Sequence, residues 1–151
     1  MTGQLNLFKS KRQRGTQAPP PKEFASHVFL ADVIRRWIMP HWKFTHLPLG
    51  EERDHRINPK TGKRWSPTGQ RLQRMGLNPG WPDFIFVGPN RSVFWLELKR
   101  QGSGGRLSED QIEVGAHLVA CGFAYLCTNS VDDAIAEMKA LGILRSNFEV
   151  Q

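Results

Sequence analysis

The sequence predicts an α/β fold: a mixed central sheet of about four strands flanked by helices, in the order αβββαβ with a further C-terminal helix. Three observations predict it. A helical apolar repeat opens the patterned part of the chain, two apolar segments flank a Gly-Pro-Asn turn, and a last apolar segment lies between two stretches bounded by helix start and stop residues.

The first helix begins at Glu23. Phe24, His27, Val28, Leu30, Ala31, Ile34, Trp37 and Ile38 recur at spacings of three and four, and Pro40 sets its end. Trp42–Leu47 reads as the first strand. Residues 49–80 are rich in Gly, Pro, Asn and charge, which predicts a long loop with one helical turn near Gln70–Met75. Asp83–Val87 and Ser92–Arg100 are apolar on both faces, as in the middle of a covered sheet, and Gly88-Pro89-Asn90 turns the chain between them. After the glycine-rich connection 102–105, Ser108 is placed to cap a helix whose first turn carries Glu109 and Asp110; Gly122 ends it. Phe123–Thr128 is the fourth strand. Ser130 or Asn129 then caps a helix that runs through Leu141 and stops at Gly142.

The 151 residues divide into a tail at 1–21, a single domain at 22–145 and a short C-terminal tail at 146–151. The first tail is basic and closes on three prolines, a composition that stiffens the chain without packing a core. No apolar run reaches membrane-spanning length, because Arg35, Arg36 and Lys43 interrupt the early hydrophobic stretch. The amino terminus lacks the order of a secretory signal, which predicts a reducing cytoplasm and makes Cys121 and Cys127 small core residues rather than a disulfide.

The net charge of +7 is unevenly spread. Residues 1–22 hold five basic residues and no acid, and 35–76 hold ten basic residues against three acids, whereas 77–151 is net acidic. Such clustering favours a polyanion, through release of condensed counterions; a solubilising surface is the alternative. Within the loop, Arg56, Lys60, Lys63, Arg64, Arg71 and Arg74 are the expected phosphate contacts.

The chemistry concentrates on the hairpin. A turn centred on Asn90 sets Asp83 opposite Glu97, with Cβ atoms ~5 Å apart. Lys99, two residues on, points to the same face. Two carboxylates and an ammonium thus converge within an apolar sheet, where the like charges repel unless a cation lies between them. Carboxylate oxygens suit a hard divalent ion of the Mg²⁺ type, which would polarise a phosphate and activate water beside Lys99. Structural ion pairs of Lys99 with Asp83 and Glu97 are the competing explanation, but burying charge without a function is costly. His41, His46 and His55 have no cysteine at zinc-ligand spacing and are discounted. No phosphate-binding loop of the motor type occurs.

Gly80-Trp81-Pro82-Asp83, Glu97-Leu98-Lys99 and Leu107-Ser108-Glu109-Asp110-Gln111 resemble the VRR-NUC branch of the PD-(D/E)XK nucleases, with its G-x-P-D, E-x-K and L-S-x-x-Q motifs. Pro48-Leu49-Gly50 and the stretch Arg71–Leu77 are similar to small stand-alone phage and bacterial members, so that the likeness spans roughly residues 23–128. The resemblance implies a restriction-endonuclease-like core and Mg²⁺- or Mn²⁺-dependent hydrolysis of DNA in a bacterial cell or phage-infected host. It makes Asp83, Glu97 and the Leu98 backbone carbonyl metal ligands, Lys99 the catalytic lysine and Gln111 its support. The branch also uses an acid on the first helix in an E-x-x-x-Q pattern. Glu23 supplies that acid here, but His27 replaces the amide; it can bind phosphate, position water or pack. Stand-alone members resemble Holliday-junction resolvases and are often dimers, so that the resemblance points to branched DNA as a substrate and leaves a homodimer open as the assembly. Trp65 and Trp81 can stack on bases or belong to the core.

Gln4-Leu5-Asn6-Leu7-Phe8 resembles the Q-L-x-L-F peptide that binds bacterial sliding clamps: Leu7 and Phe8 would fill an apolar pocket and Gln4 would hydrogen-bond. Tethering through a basic, proline-rich linker raises the local concentration of the domain at DNA. Two other functions compete with a structure-selective endonuclease: a module that holds DNA without cutting it, and a nuclease of linear-end or restriction-like specificity.

Overall fold

The computed structural model describes residues 23–48, 56–100 and 106–148. Helix α1 spans Glu23–Trp37 and strand β1 Lys43–His46. A two-residue hairpin, β2 (Arg56–Ile57) and β3 (Arg64–Trp65), leads into α2 (Pro67–Arg74). Strands β4 (Phe84–Val87) and β5 (Val93–Leu98) follow, then α3 (Glu109–Ala120), β6 (Ala124–Thr128) and α4 (Val131–Ala140). The main sheet has the order β1-β4-β5-β6 and is mixed: β1/β4 and β4/β5 are antiparallel, β5/β6 parallel. The fold is thus of the expected mixed α/β kind. None of the helices is long and apolar enough to cross a membrane, among the described residues.

The hairpin register matters most for function. Phe84 pairs with Leu96, Ile85 with Trp95, Phe86 with Phe94 and Val87 with Val93, the register of a turn centred on Asn90. Asn90 and Arg91 both adopt left-handed backbone (φ 55° and 63°) within a single 3₁₀ turn at Pro89–Arg91. Asparagine tolerates that region better than other side chains do. At Gly88 a Cβ would fall 2.6 Å from the Trp42 ring, so this turn tucks under the start of β1.

The alternation of β4 and β5 sends Phe84, Phe86, Phe94, Leu96 and Leu98 to one face, where they pack on Leu30, Val33 and Ile34 of α1 and on Ala134, Ile135 and Met138 of α4. Helix α3 covers the opposite face. A Cβ on Gly115 would lie 2.9 Å from the Tyr125 ring, so only glycine allows the helix so close. That face carries Trp95, Glu97, Tyr125 and Cys127, since Trp95 pairs with Tyr125 and Glu97 with Cys127. The acidic residue of the site is therefore roofed by a helix.

Three expectations change. The stretch expected to be a loop at 49–80 contains the β2–β3 hairpin and a two-turn helix. Asn58 organises the hairpin: its Oδ1 accepts from the Lys60 and Thr61 amides, and Gly62 takes left-handed backbone (φ 65°). Ser66 caps α2 by accepting from the Gly69 amide, and Pro67 takes the first helical position. Phe148, expected in a tail, packs instead: it is buried and stacks on Trp37 at 4.7 Å with ring planes 1° apart, while residues 146 and 147 are exposed. Ile38 leaves the helix to bridge Leu144, and the Met39 amide donates to the Ile143 carbonyl. Finally, Cys127 is buried as expected but Cys121 is exposed at the end of α3; both are free thiols.

Candidate functional site

The site forms where β4 begins and β5 ends. Asp83 lies one residue before β4, still held at the sheet because its carbonyl accepts from the Leu47 amide at 2.7 Å. Its side chain turns back on β5, and Oδ2 accepts from the Leu98 amide at 2.9 Å. A carboxylate thus occupies the place of a ladder carbonyl at the strand end. Gly80 positions this loop: it has φ +88°, and a Cβ there would lie 2.4 Å from the Asp110 carbonyl oxygen, so the Gly-Trp-Pro-Asp turn rests against the start of α3. Trp81 packs on Trp95, with ring centroids 5.2 Å apart.

Glu97 is 3% exposed. Its Oε1 accepts from Lys99 Nζ and from Gln111 Nε2, each at 2.6 Å. Gln111 Oε1 in turn accepts from Lys99 Nζ at 2.8 Å and from the Ser108 amide at 3.0 Å. The last contact is half of a capping box; the other half is the Gln111 amide donating to Ser108 Oγ. One glutamine therefore caps α3 and braces both Glu97 and Lys99. Burial pushes the Glu97 carboxyl above its ordinary range, and the neighbouring Asp83 carboxylate pushes it further; Lys99 opposes both. Glu97 Oε2 is buried with no hydrogen-bond partner among the described residues.

An orphaned carboxylate oxygen and a second carboxylate, destabilised by burial and mutual repulsion, form a donor set that fits a divalent cation. Asp83, Glu97 and the Leu98 carbonyl are the oxygens available to it. Lys99 and Gln111 both contact Glu97, and Asp83 lies close enough to raise its carboxyl. Hairpin spacing puts Asp83, Glu97 and Lys99 on one face, whereas Gln111 is expected here only from the resemblance. Glu23 begins α1 one turn before His27, and its side chain lies outside the described residues.

Sequence reasoning missed His46. In β1 it pairs with Phe84, which brings its ring beside His27 of α1, with centroids 5.3 Å apart. His27 Nε2 lies 3.5 Å from Asp83 Oδ2 and 3.3 Å from the Leu98 carbonyl oxygen. No motif marks His46; only the order of strands places it here.

The six expected phosphate contacts, Arg56, Lys60, Lys63, Arg64, Arg71 and Arg74, are all exposed on the arm formed by β2, β3 and α2. The arm has no acid between Arg56 and Gly76. The Arg56 guanidinium lies over the half-exposed Trp65 ring, 6.0 Å from its centroid. Gln4, Leu5, Leu7 and Phe8 lie outside the described residues. No protein-family model, curated protein or solved structure matches this chain.

Proposed function

We propose that this chain is a Mg²⁺- or Mn²⁺-dependent DNA endonuclease of the VRR-NUC type, with a restriction-endonuclease-like core and a preference for branched DNA. One observation carries the reading: a buried glutamate, Glu97, shares its oxygen with Lys99 and Gln111 and faces the Asp83 carboxylate. A structural ion pair has no need of the second acid, whose charge makes Glu97 costlier to ionise.

The reaction is hydrolysis: water oxygen bonds to phosphorus, one bridging P–O bond breaks, and the released oxygen takes a proton. Asp83, Glu97 and the Leu98 carbonyl would hold the cation, which supplies a Lewis acid for the phosphate and makes water easier to deprotonate. Lys99 contributes a fixed positive charge for the phosphate oxygens, and it is aimed by two acceptors, Glu97 Oε1 and Gln111 Oε1. Trp81, in the turn before Asp83, packs on Trp95 of β5 and so ties that turn to the strand that carries Glu97. The basic arm carries the charge needed to hold the duplex backbone.

Four-way, flap, single-stranded and linear DNA, each incubated with Mg²⁺, Mn²⁺ or a chelator, test the reading beside Asp83→Ala and Lys99→Ala. Metal-dependent cutting that both substitutions abolish supports it, and the preferred substrate names the specificity. The basic arm alone equally favours a module that holds DNA. Tight binding with no cutting of any substrate would establish that second reading in place of the first.

A further inference from the structure

We infer that His27, His46 and Asp83 form a nitrogen-rich site for a first-row divalent transition ion, one that discriminates against Mg²⁺. The site shares Asp83 and the Leu98 carbonyl with the proposed nuclease centre but does not depend on that activity.

The three side chains come from three separate elements, α1, β1 and the turn before β4, and each offers a ligand atom within 4.8 Å of the other two. Among the described residues, this is the group of histidine, cysteine and acidic side chains that converges in this way, and Glu97 is not part of it. The spacing suits a metal. Two ligands about 2.1 Å from a tetrahedral ion are separated by about 3.4 Å. His27 Nε2 stands 3.5 Å from Asp83 Oδ2, and 3.3 Å from the Leu98 carbonyl oxygen, a fourth potential donor.

The imidazoles are also fixed in advance. Both rings pack edge-on against Phe84, His27 at 5.5 Å and His46 at 5.0 Å between centroids, and they contact each other. His27 is buried, while His46 and Asp83 are part-buried, so little rotamer freedom remains to be lost. The Leu98 amide holds the Asp83 carboxylate in place.

Ligand chemistry selects the ion. Mg²⁺ demands oxygen donors and keeps most of its water, whereas neutral imidazole nitrogen suits first-row transition ions, with affinity rising from Mn²⁺ through Co²⁺ to Cu²⁺ and falling again at Zn²⁺. Two imidazoles beside one carboxylate therefore favour Mn²⁺, Co²⁺ or Zn²⁺. The oxygen-only set around Glu97 makes no such choice.

Co²⁺ is the probe, because its visible absorption reports nitrogen coordination directly. The full chain, stripped with chelator, is titrated with Co²⁺ and followed by absorption and calorimetry. One equivalent is expected to bind with visible bands, and Zn²⁺ should displace it while Mg²⁺ in about 100-fold excess should not. His46→Gln and His27→Gln should each weaken Co²⁺ binding at least about tenfold, and Glu97→Gln should leave the bands in place. Absence of a Co²⁺ spectrum in the wild-type chain overturns the inference, whether or not the variants fold. So does a spectrum that survives both histidine substitutions. DNA cutting in Mg²⁺ is assayed on the same samples. Cutting without Co²⁺ binding removes this site and leaves the nuclease, and Co²⁺ binding without cutting removes the nuclease and leaves this site.

Discussion

Gln111 donates its side-chain amide to Glu97, Nε2 to Oε1, across 2.6 Å. The same side chain closes the capping box of α3 with Ser108, so the helix start and the acidic centre depend on one residue. Gln111→Ala is expected to lose both, at about 2 kcal/mol of stability, whereas Ser108→Ala should lose only a cap, about 1 kcal/mol. The two variants separate folding from chemistry. Chemical denaturation should rank them in that order, and DNA cutting should fall sharply only in Gln111→Ala, where Lys99 loses an acceptor.

Glu97 is expected to limit stability at neutral pH. Its carboxyl is raised above its ordinary 4.5 by burial first and by Asp83 second. A raised folded value means the folded state holds the proton more tightly. That contribution is fully present below 4.5 and is lost as pH rises through the raised value. Glu97→Gln stays neutral throughout. Measured in chelator, it should be more stable than the wild type at pH 7, with the gap closing towards pH 4. A wild type that is the more stable at pH 7 would show that Lys99 outweighs burial.

The site was legible in the sequence where it depends on local geometry. Asp83, Glu97 and Lys99 are joined by one hairpin whose register follows from its turn, and Phe84 does pair with Leu96. Gln111 was expected at the site only through the L-S-x-x-Q resemblance, and the capping box it closes with Ser108 gives that motif a local physical reason. His46 was not legible. Its place beside His27 requires β1 to pair with β4 and α1 to lie on that face, relations that no spacing encodes. The β2–β3 hairpin was hidden for another reason. It has two exposed residues per strand, one arginine and one apolar in each, so the strands are too short for an alternation to announce them. Phe148 was hidden by its distance in sequence from Trp37, the ring it stacks on.

Gly80 and Gly122 make a controlled pair. Both have left-handed backbone, at φ +88° and +84°, but a Cβ at Gly80 meets the Asp110 backbone while one at Gly122 meets nothing within 4 Å. Gly122→Ala should cost about 1 kcal/mol for its backbone alone. Gly80→Ala adds a clash that only a shift of the Asp83 turn or of α3 can relieve, so a loss above about 2 kcal/mol is expected. Thermal melts of the two variants check the difference. Equal losses would mean that the turn does not rest on α3.

The arm should bind DNA through charge. Arg71 and Arg74 lie in the last turn of α2, both exposed, with no acid on that helix. Replacing either with alanine should lower affinity for every DNA sequence alike and reduce the slope of log K against log salt by about 1. Fluorescence anisotropy across a salt series measures both. An unchanged slope would place the DNA on another surface, leaving the arm as a solvated insertion.

The two thiols report on the electrostatics of the covered face. Cys121 is exposed, while Cys127 is 1% exposed and its thiol is pushed up to about 11, by burial first and by the Glu97 charge second. Thiolate, not thiol, reacts with a disulfide reagent, so at pH 8 one equivalent should react quickly in the native chain and the second only on unfolding. Because the folded value is raised, this thiol's contribution to stability persists below its ordinary range and is lost as pH climbs through about 11. Glu97→Gln removes the second cause but not the first. In that variant Cys127 should titrate lower than in the wild type yet still above an exposed thiol, as followed by thiolate absorbance. An unchanged titration would mean that burial alone holds the Cys127 thiol up.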